Sequence, residues 1–439
     1  MNFITDYRLE NFILRTKWDD IPAPVQERLR GCMLDLLGAL VAGSGSEQFA
    51  AGLTLARRAF RRGDIAVIGT KDTFDFLGAA AAMGHASNAY DIDDGHNIIR
   101  AHPGTSFIGG LLAAGYDKDI GAHEFLATLY VAYETTIRMG EAIMDYYQYA
   151  HSSGTFGAVG VAAGAGRIYG FDQQEMNNAL SIAEFNAPLV PGIRSVEYPS
   201  MNKDGVPFGV MAGALALLAS QSGFTGNKHL LEADEYRHYL DDLRQNHEVM
   251  ALYFKPYPCC RWGHPAIDAC LSLMAEHHIT AEDIEAVTIE TFFKATQLSK
   301  DIPSCADAAQ YNIAYPVAAA IVNNGFSIQQ VENTGDSAVI DMMGRLSFVC
   351  APELDAQFPA RRLCRASVAL KDGRCFVSGI HEPRGEACEN IGYGWLADKF
   401  RRITAQRLSP ERQEILIQML RSDSWTVRQM VDQVNSALA

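Results

Sequence analysis

The sequence predicts a mostly α-helical protein in which a large all-α domain is joined to a smaller α+β domain. In residues 1–265, apolar side chains recur at three- and four-residue spacing, as in amphipathic helices. From about residue 266, short stretches rich in β-branched residues alternate in polarity, as in strands. A helical pattern returns at residue 394. We therefore expect residues 1–265 and 394–439 to form one discontinuous helical domain, and residues 266–393 to form the α+β domain.

The large domain is predicted to contain closely packed helices. Pro22–Gly43 starts with proline, which suits the first turn of a helix, and Glu124–Tyr147 repeats the helical spacing. Four further helical stretches consist largely of Gly and Ala, whose small side chains allow helix backbones to approach closely. These stretches are Leu77–Ala89, Gly104–Gly115, Gly154–Gly166 and Gly205–Ala219.

The α+β domain is predicted from one strand and one hairpin. Ile284–Phe293 alternates and is rich in β-branched residues. Arg365–Leu370 and Arg374–Ile380 flank Lys371-Asp372-Gly373, and Asp-Gly supplies the positive φ that a tight turn needs. Helices are expected on either side of these strands, at Ala266–Glu276, Ala314–Asn323, Ile328–Glu332, Gly394–Arg402 and Ser409–Arg421.

Charge, apolar runs and cysteine spacing argue against several classes of partner and location. The 439 residues include 37 Lys and Arg against 52 Asp and Glu, for a net charge of −15. This charge argues against nucleic acid or an anionic membrane as a general partner, because both attract positive proteins. We see neither a signal peptide nor an apolar run long enough to span a membrane. The nine cysteines show no CxxC pair, so we expect a reduced, cytoplasmic protein.

The densest polar cluster lies in residues 90–104, between two Ala-rich helices. It contains Asp91, Asp93, Asp94, His96, Arg100 and His102. Loops between buried helices often carry catalytic groups. A solvated turn whose aspartates cap the next helix is the alternative without chemistry. A metal site is a further alternative, but the EF-hand spacing is absent and we expect no metal.

A second cluster, residues 255–265, reads KPYPCCRWGHP. Two prolines keep it extended until a helix starts at Pro265, so His264 should project from a helix N-terminus near Lys255 and Arg261. A domain linker with a packed histidine is the alternative. Cys259 has cationic neighbours that suit a nucleophile, but no oxyanion-hole motif accompanies it.

Two further segments offer binding groups. Lys203 stands at the entrance of the helix that begins near Val206, a position that suits a carboxylate or phosphate, although a solvated capping loop is equally compatible. His151 lies in a weaker candidate segment, HSSG. The sequence has no GxGxxG, GxxxxGK[ST], GxSxG or HExxH motif, which removes the usual nucleotide, serine-hydrolase and zinc-protease assignments.

Together these segments resemble the MmgE/PrpD family, which includes 2-methylcitrate dehydratases, cis-aconitate decarboxylases and iminodisuccinate epimerase. The matching pieces, in order along nearly the whole chain, are GHASNAYDIDDGH…HPG (84–104), KDG followed by GVMAGALALLASQSGFTG (209–226), KPYPCCRWGHPAIDA (255–269) and AAQYNIAYPVAAAI (308–321). The resemblance implies a large helical domain interrupted by an α+β lid. It also implies a homodimer without an obligatory metal or organic cofactor.

The resemblance also implies roles for individual residues. Four match catalytic positions, namely Asp91, His102, Lys203 and His264. Tyr315 resembles a tyrosine of the lid, and we expect it to bind substrate together with His96, Arg100, His151, Lys255 and Arg261. Two departures stand out. Gly95 replaces the Thr or Ser of several members, and Lys203 lies in KDG instead of the KxxHxG of the dehydratases.

The predicted function is a lyase that acts on a small di- or tricarboxylate, by dehydration or decarboxylation. Its chemistry needs a proton donor or acceptor and cations that bind carboxylate oxygens. We expect His102 or Asp91 to move the proton, His264 to act as the opposing acid and Lys203 to hold a carboxylate. A dicarboxylate epimerase would use the same acid–base pair without elimination. A binding protein that kept the fold is a third possibility, supported by Gly95 and opposed by the retained site residues.

Overall fold

The computed structural model describes residues 1–149 and 152–438. Within them the chain is mostly helical, as predicted, with small sheets inserted between the helices. The helices are α1 (Arg8–Arg15), α2 (Ala23–Gly43), α3 (Glu47–Ala59), α4 (Phe76–Ser87), α5 (Thr105–Lys118), α6 (Ala122–Tyr147), α7 (Ser153–Ile168), α8 (Gln173–Asn186), α9 (Ile193–Glu197), α10 (Val206–Gln221), α11 (His264–His277), α12 (Phe293–Thr296), α13 (Ala306–Gln310), α14 (Ala314–Asn323), α15 (Ile328–Glu332), α16 (Ser337–Met343), α17 (Pro352–Asp355), α18 (Tyr393–Thr404), α19 (Pro410–Arg421) and α20 (Val427–Leu438).

The strands form three sheets. They are β1 (Ile65–Ala66), β2 (Thr73–Phe74), β3 (Asp94–His96), β4 (Leu252–Phe254), β5 (Ile284–Thr291), β6 (Leu346–Cys350), β7 (Cys364–Leu370) and β8 (Cys375–Val377). The largest sheet has the order β6-β5-β7-β8, in which β5 and β6 are parallel and the other pairs antiparallel. It contains the predicted strand and the predicted Asp-Gly hairpin.

Small residues allow the central helices to pack at close range, as the sequence predicted. Gly209 of α10 crosses Gly154 of α7 so closely that a Cβ atom on Gly209 would lie 2.2 Å from the Gly154 carbonyl oxygen. A larger residue at either position would push the two helices apart.

Two large apolar cores and two small ones lie within the described residues. The first large core collects side chains from α1–α8, from α10, from the segment up to Phe254 and from α18–α20. The second combines α11, α14 and the inner face of the four-stranded sheet, with a few residues of the first region such as Tyr90 and Ile92. These two cores support the division of the chain at residues 265 and 394, which we keep as a proposal.

A two-stranded sheet, β3–β4, joins distant parts of the chain. Its register places Gly95 opposite Tyr253 and His96 opposite Leu252. The loop that carries the first polar cluster is thereby fixed beside the segment that carries Lys255. No helix among the described residues has the length and apolar character needed to cross a membrane.

Candidate active site

A cavity of about 380 Å³ lies where these two segments meet the α+β region. Three stretches of chain and four residues of the α+β region line it. They supply Asp91, His96, Arg100 and His102; Gly192, Ile193, Ser195, Val196 and Asp204; Tyr253, Lys255, Cys260, Arg261 and Trp262; and Lys294, Tyr311, Phe358 and Arg362. Most of its titratable groups come from the two polar clusters of the sequence. Larger cavities elsewhere contain neither Asp91 nor His102.

Three residues around this cavity adopt the left-handed backbone region. The φ angles are 48° at Asp91, 52° at Arg100 and 36° at Asp204. Residues other than glycine seldom adopt this region, and such strain is concentrated at functional sites because the surrounding structure must maintain it. Here it directs polar side chains from three turns toward one volume.

His102 lies between two carboxylates. Its Nε2 is 3.3 Å from Asp91 Oδ1, and its Nδ1 is 3.1 Å from Asp93 Oδ2. Nδ1 is also 2.7 Å from the Asp94 carbonyl oxygen, so its proton is directed at that carbonyl and Asp93 acts through its charge. Burial by itself would lower the pKa of His102, but the charges of Asp93 and Asp91 outweigh burial and Lys255, and raise it well above the usual range. The ring therefore remains protonated through neutral pH.

Lys255 forms a buried ion pair with Asp91. Its Nζ lies 2.6 Å from Asp91 Oδ1, and both side chains are almost fully buried. Burial favours the neutral amine, but Asp91, Tyr253 and Asp93 raise the pKa of Lys255 above its usual value. The same oxygen of Asp91 thus faces both Lys255 and His102, which holds the carboxylate in place.

Asp204 supplies a carboxyl group with different properties. The Tyr311 hydroxyl donates a hydrogen bond of 2.8 Å to Asp204 Oδ2. Burial raises the pKa of Asp204, and the charges of Asp91 and Asp93 add to this, although His102 opposes them. A carboxyl that holds its proton more tightly than usual is better suited to exchanging protons near neutral pH.

Asp94 anchors the loop between β3 and α5, which contains His102. Its Oδ1 accepts the Gly104 N–H at 3.0 Å and its Oδ2 accepts the Tyr133 hydroxyl. Burial and the charge of Asp93 raise the pKa of Asp94 to about 7. These bonds connect the start of β3 to the start of α5, so the residues between them, including His102, are held at both ends.

Tyr253 occupies the space next to Gly95. A Cβ atom on Gly95 would lie 2.1 Å from the Tyr253 ring, at Cζ. The ring in turn stacks on Arg261, whose Cζ lies 3.5 Å from the ring centroid. A tyrosine ring therefore fills the place that a hydroxyl side chain at position 95 would take.

Two family models match most of the chain. A model of the MmgE/PrpD N-terminal domain matches residues 7–240, and a model of the MmgE/PrpD C-terminal domain matches residues 257–423. The chain belongs to the MmgE/PrpD family. The resemblance seen in the sequence is thereby confirmed.

Curated relatives of this MmgE/PrpD protein are 22–23% identical to it. A cis-aconitate decarboxylase-like protein, oryM, of Aspergillus oryzae is 23% identical, covering 92% of this chain and 91% of its own. Cis-aconitate decarboxylase of Aspergillus terreus is 23% identical over 84% of this chain and 82% of its own. The human cis-aconitate decarboxylase is 22% identical over 62% of this chain and 60% of its own.

The cavity brings together six of the predicted site residues, namely Asp91, His96, Arg100, His102, Lys255 and Arg261. Arg261 is already paired with Glu386 and donates to Asn97 at 2.9 Å. His96 is buried, with Nε2 3.6 Å from Glu248 Oε2. These two residues shape the wall, while His102, Lys255 and Arg100 present charge to the cavity.

Three predicted residues lie away from this cavity. Lys203 Nζ is buried and donates to the Ala89 carbonyl at 2.7 Å, and to Asp307 and Gln310 at 2.9 Å each. All three of its protons have acceptors, so the structure gives no support for binding of a substrate carboxylate by Lys203. These hydrogen bonds instead connect the helical region to the α+β region. Its role in catalysis stays a prediction.

His264 and Tyr315 are also held by the protein itself. His264 Nε2 lies 3.1 Å from the Cys259 carbonyl oxygen, and burial together with Lys255 lowers its pKa well below the usual value. This environment gives no support for His264 as the opposing acid, and its catalytic role stays a prediction. The Tyr315 hydroxyl donates to the carbonyls of Gln330 and Asn333. His151 lies outside the described residues.

Three atoms at the site have a spacing that a metal ion could use. Asp91, His102 and Asp204 each offer one atom, all within 4.8 Å of one another. The charges around them do not fit a metal. Lys255 already pairs with Asp91, and a protonated imidazole has no lone pair to donate. We derive no step through a metal.

Several residues of the site were missed as individual candidates. Asp93, Asp204 and Tyr311 stand within the motifs DIDD, KDG and AAQYN, next to residues that were chosen. Their proximity in sequence was the available signal. Arg362 lies in a stretch without a motif, and only the fold places it at the cavity.

Proposed function

We propose that this MmgE/PrpD protein is a lyase that decarboxylates a small polycarboxylate. The observation that carries the proposal is His102, held as a cation between Asp91 and Asp93 at the wall of the cavity. A protonated imidazole that faces a small enclosed volume is a general acid. The relatives named cis-aconitate decarboxylase support a reaction in which such an acid is needed.

The charge of the cavity supports a substrate with several carboxylates. In a protein of net charge −15, its walls bring together Arg100, Lys294 and Arg362, beside Lys255 and Arg261, which are paired with Asp91 and Glu386. Since the overall field repels anions, a local group of cations is what can attract and orient one. Its volume of about 380 Å³ suits a small molecule.

The proposed step uses groups of this chain. The bond between a carbon and one substrate carboxylate breaks, CO2 leaves, and the bonding electron pair stays on that carbon and delocalises into an adjacent unsaturated carboxylate. His102 Nε2 then donates its proton to the carbanion, which completes the product. Solvent returns a proton to His102. The surrounding cations stabilise the negative charge that develops on the remaining carboxylates.

Dehydration is a second candidate, favoured by Asp204. This carboxyl lies within 4.8 Å of His102, so a base and an acid are available on one side of the cavity. Elimination would use Asp204 to remove a proton and His102 to protonate the departing hydroxyl. Epimerisation needs two groups on opposite faces of one carbon, about 6 Å apart at a reactive approach of about 3 Å each. The closer spacing of His102 and Asp204 supports a lyase over an epimerase.

Incubation with a panel of unsaturated and hydroxylated tricarboxylates tests the proposal. We expect release of CO2 from at least one unsaturated member, and a loss of that activity in His102→Ala. Water loss from a hydroxy acid, seen as a new ultraviolet absorbance without CO2, would replace decarboxylation by dehydration. Absence of turnover for every member of the panel would contradict both.

We also propose a homodimer, as the resemblance implies. One face of α10 exposes Phe208, Leu215 and Leu218. Phe185 of α8 and Phe224, which follows α10, are also exposed. Apolar side chains concentrated on one surface are typical of protein interfaces. Light scattering after size exclusion should give twice the mass of one chain, and Leu215→Glu should shift the protein toward the monomer. A wild-type mass of one chain would contradict the dimer.

A further inference from the structure

Arg362 is a buried arginine without a partner. Its side chain lines the cavity and the residue is only 9% exposed. In the part of the chain that the structure describes, its guanidinium has neither a hydrogen-bond acceptor nor an ion-pair carboxylate, whereas Arg138 pairs with Glu134 and Asp242. Arg261, buried to a similar degree, pairs with Glu386.

The charges around Arg362 make its isolation costly. Burial disfavours its charged form, and the nearby cations Arg261 and Arg100 repel it, while Tyr253 and Glu386 offset this in part. A largely buried guanidinium without an acceptor gives up part of its hydration and gains no protein partner in return. An anion bound in the cavity would supply both the missing charge and the missing acceptors.

The backbone around Arg362 is fixed. The neighbouring Leu363 is buried in a small core with Ala351 and Leu354, and its carbonyl accepts the Thr291 hydroxyl at 2.9 Å. The next residue begins β7. The backbone that bears the guanidinium is therefore held in place at the start of β7. A binding group that is already positioned loses less entropy when the ligand binds.

We propose that Arg362 binds a substrate carboxylate other than the one that reacts, and so selects substrates with two or more carboxylates. The planar guanidinium matches a carboxylate with two parallel hydrogen bonds. Arg100, which also lines this cavity, adds positive charge. The inference rests on the proposed function for the substrate class, but the binding that it describes is measured separately from turnover.

The experiment uses Arg362→Gln, Arg362→Lys and a neighbouring control, Arg361→Gln. Arg361 is exposed and already paired with Glu382. Tricarballylate, a saturated tricarboxylate, serves as the probe, and its affinity is measured by calorimetry. Loss of a charged hydrogen-bond pair should weaken its binding by about 10- to 100-fold in Arg362→Gln, partly recovered in Arg362→Lys, with Arg361→Gln unchanged.

Two further measurements distinguish a binding role of Arg362 from a structural one. The melting temperature of the ligand-free protein should stay the same or rise in Arg362→Gln, because an unpaired buried charge has been removed. With a substrate that turns over, KM should rise far more than kcat falls, since the contact is present before and during the reaction. A lowered melting temperature with unchanged affinity would overturn the inference, because Arg362 would then be structural.

The outcomes distinguish the two proposals. Tricarballylate binding that depends on Arg362, in a protein that turns over no polycarboxylate, would support this inference and contradict the proposed reaction. Turnover with equal affinity in Arg362→Gln and wild type would support the reaction and overturn the inference. A wild-type protein that neither binds tricarballylate nor turns over a polycarboxylate would overturn both.

Discussion

Asp93→Asn should move the pH range in which the protein is active. Asp93 Oδ2 lies 3.1 Å from His102 Nδ1, and two opposite charges at 3.1 Å attract by about 5 kcal/mol at an effective dielectric constant of about 20. Neither oxygen of Asp93 accepts a hydrogen bond from the described residues, so an amide changes the charge and leaves the Nδ1–Asp94 contact in place. The substitution therefore removes an attraction that keeps the imidazole protonated.

The sign of the effect follows from the direction of the pKa shift. In the wild type the pKa of His102 is raised, so the acid form persists through neutral pH and is lost only as pH rises beyond that pKa. Asp91 still raises the pKa in the variant, while burial and Lys255 lower it. We expect the basic limb of the kcat profile to move to lower pH and kcat at about pH 8 to fall by at least about 10-fold.

A matched control tests whether the effect is specific. Asp268→Asn also neutralises a buried aspartate, but one that is bonded to Tyr257 and Arg384 away from the cavity. Its pH profile should match that of the wild type. Circular dichroism and thermal melting of both variants show whether they fold. An unmoved basic limb in folded Asp93→Asn would refute the assignment of His102 as an acid maintained by Asp93.

Further predictions concern the acid itself, the neighbour of Gly95 and a buried ion pair. His102→Ala should fold normally and lower kcat by at least about 100-fold in a steady-state assay, and near wild-type turnover would exclude it as the acid. Gly95→Thr should cost about 1–3 kcal/mol in urea unfolding because its Cβ would meet the Tyr253 ring, and Tyr253→Ala in the same chain should relieve this cost. Lys399, whose Nζ lies 2.6 Å from Asp35 Oδ1, forms a fully buried pair, so Lys399→Met should lower the free energy of unfolding by about 3 kcal/mol. Unchanged urea midpoints would contradict the second and third predictions.

Most of the fold could be predicted from the sequence because its elements carry local signals. α14 and α15 were predicted with the bounds that the structure shows, and the Asp-Gly hairpin appears as β7 and β8. The pairing of β3 with β4 was not predicted. Each strand has three residues, and 155 residues (97–251) separate them in the chain, so no local pattern could reveal that they pair.

The predicted residues that line the cavity are those that cluster in sequence. Asp91 and His102 share one short loop, and Lys255 lies in the second cluster, so motif reading found all three. Sequence position does not reveal where a side chain points. Lys203 directly precedes Asp204, which lines the cavity, yet its Nζ donates hydrogen bonds to Asp307 and Gln310.

Arg362 is a candidate site residue that the sequence could not identify. An isolated arginine between α17 and β7 carries no motif, and a sequence offers no sign that it will be buried without a partner. That property depends on which groups the fold brings near it. A buried charge that lacks a partner is recognised only when every neighbour is known.

Nuclear magnetic resonance in D2O tests the central claim most directly. The protein is incubated with a panel of di- and tricarboxylates, and each product is followed by its proton spectrum. Our account predicts a decarboxylated product with one solvent-derived deuterium on a carbon of the former carbanion, formed by the wild type and not by His102→Ala. Deuterium exchange into recovered substrate without a new product would indicate epimerisation and contradict it, as would a decarboxylated product formed equally fast by His102→Ala.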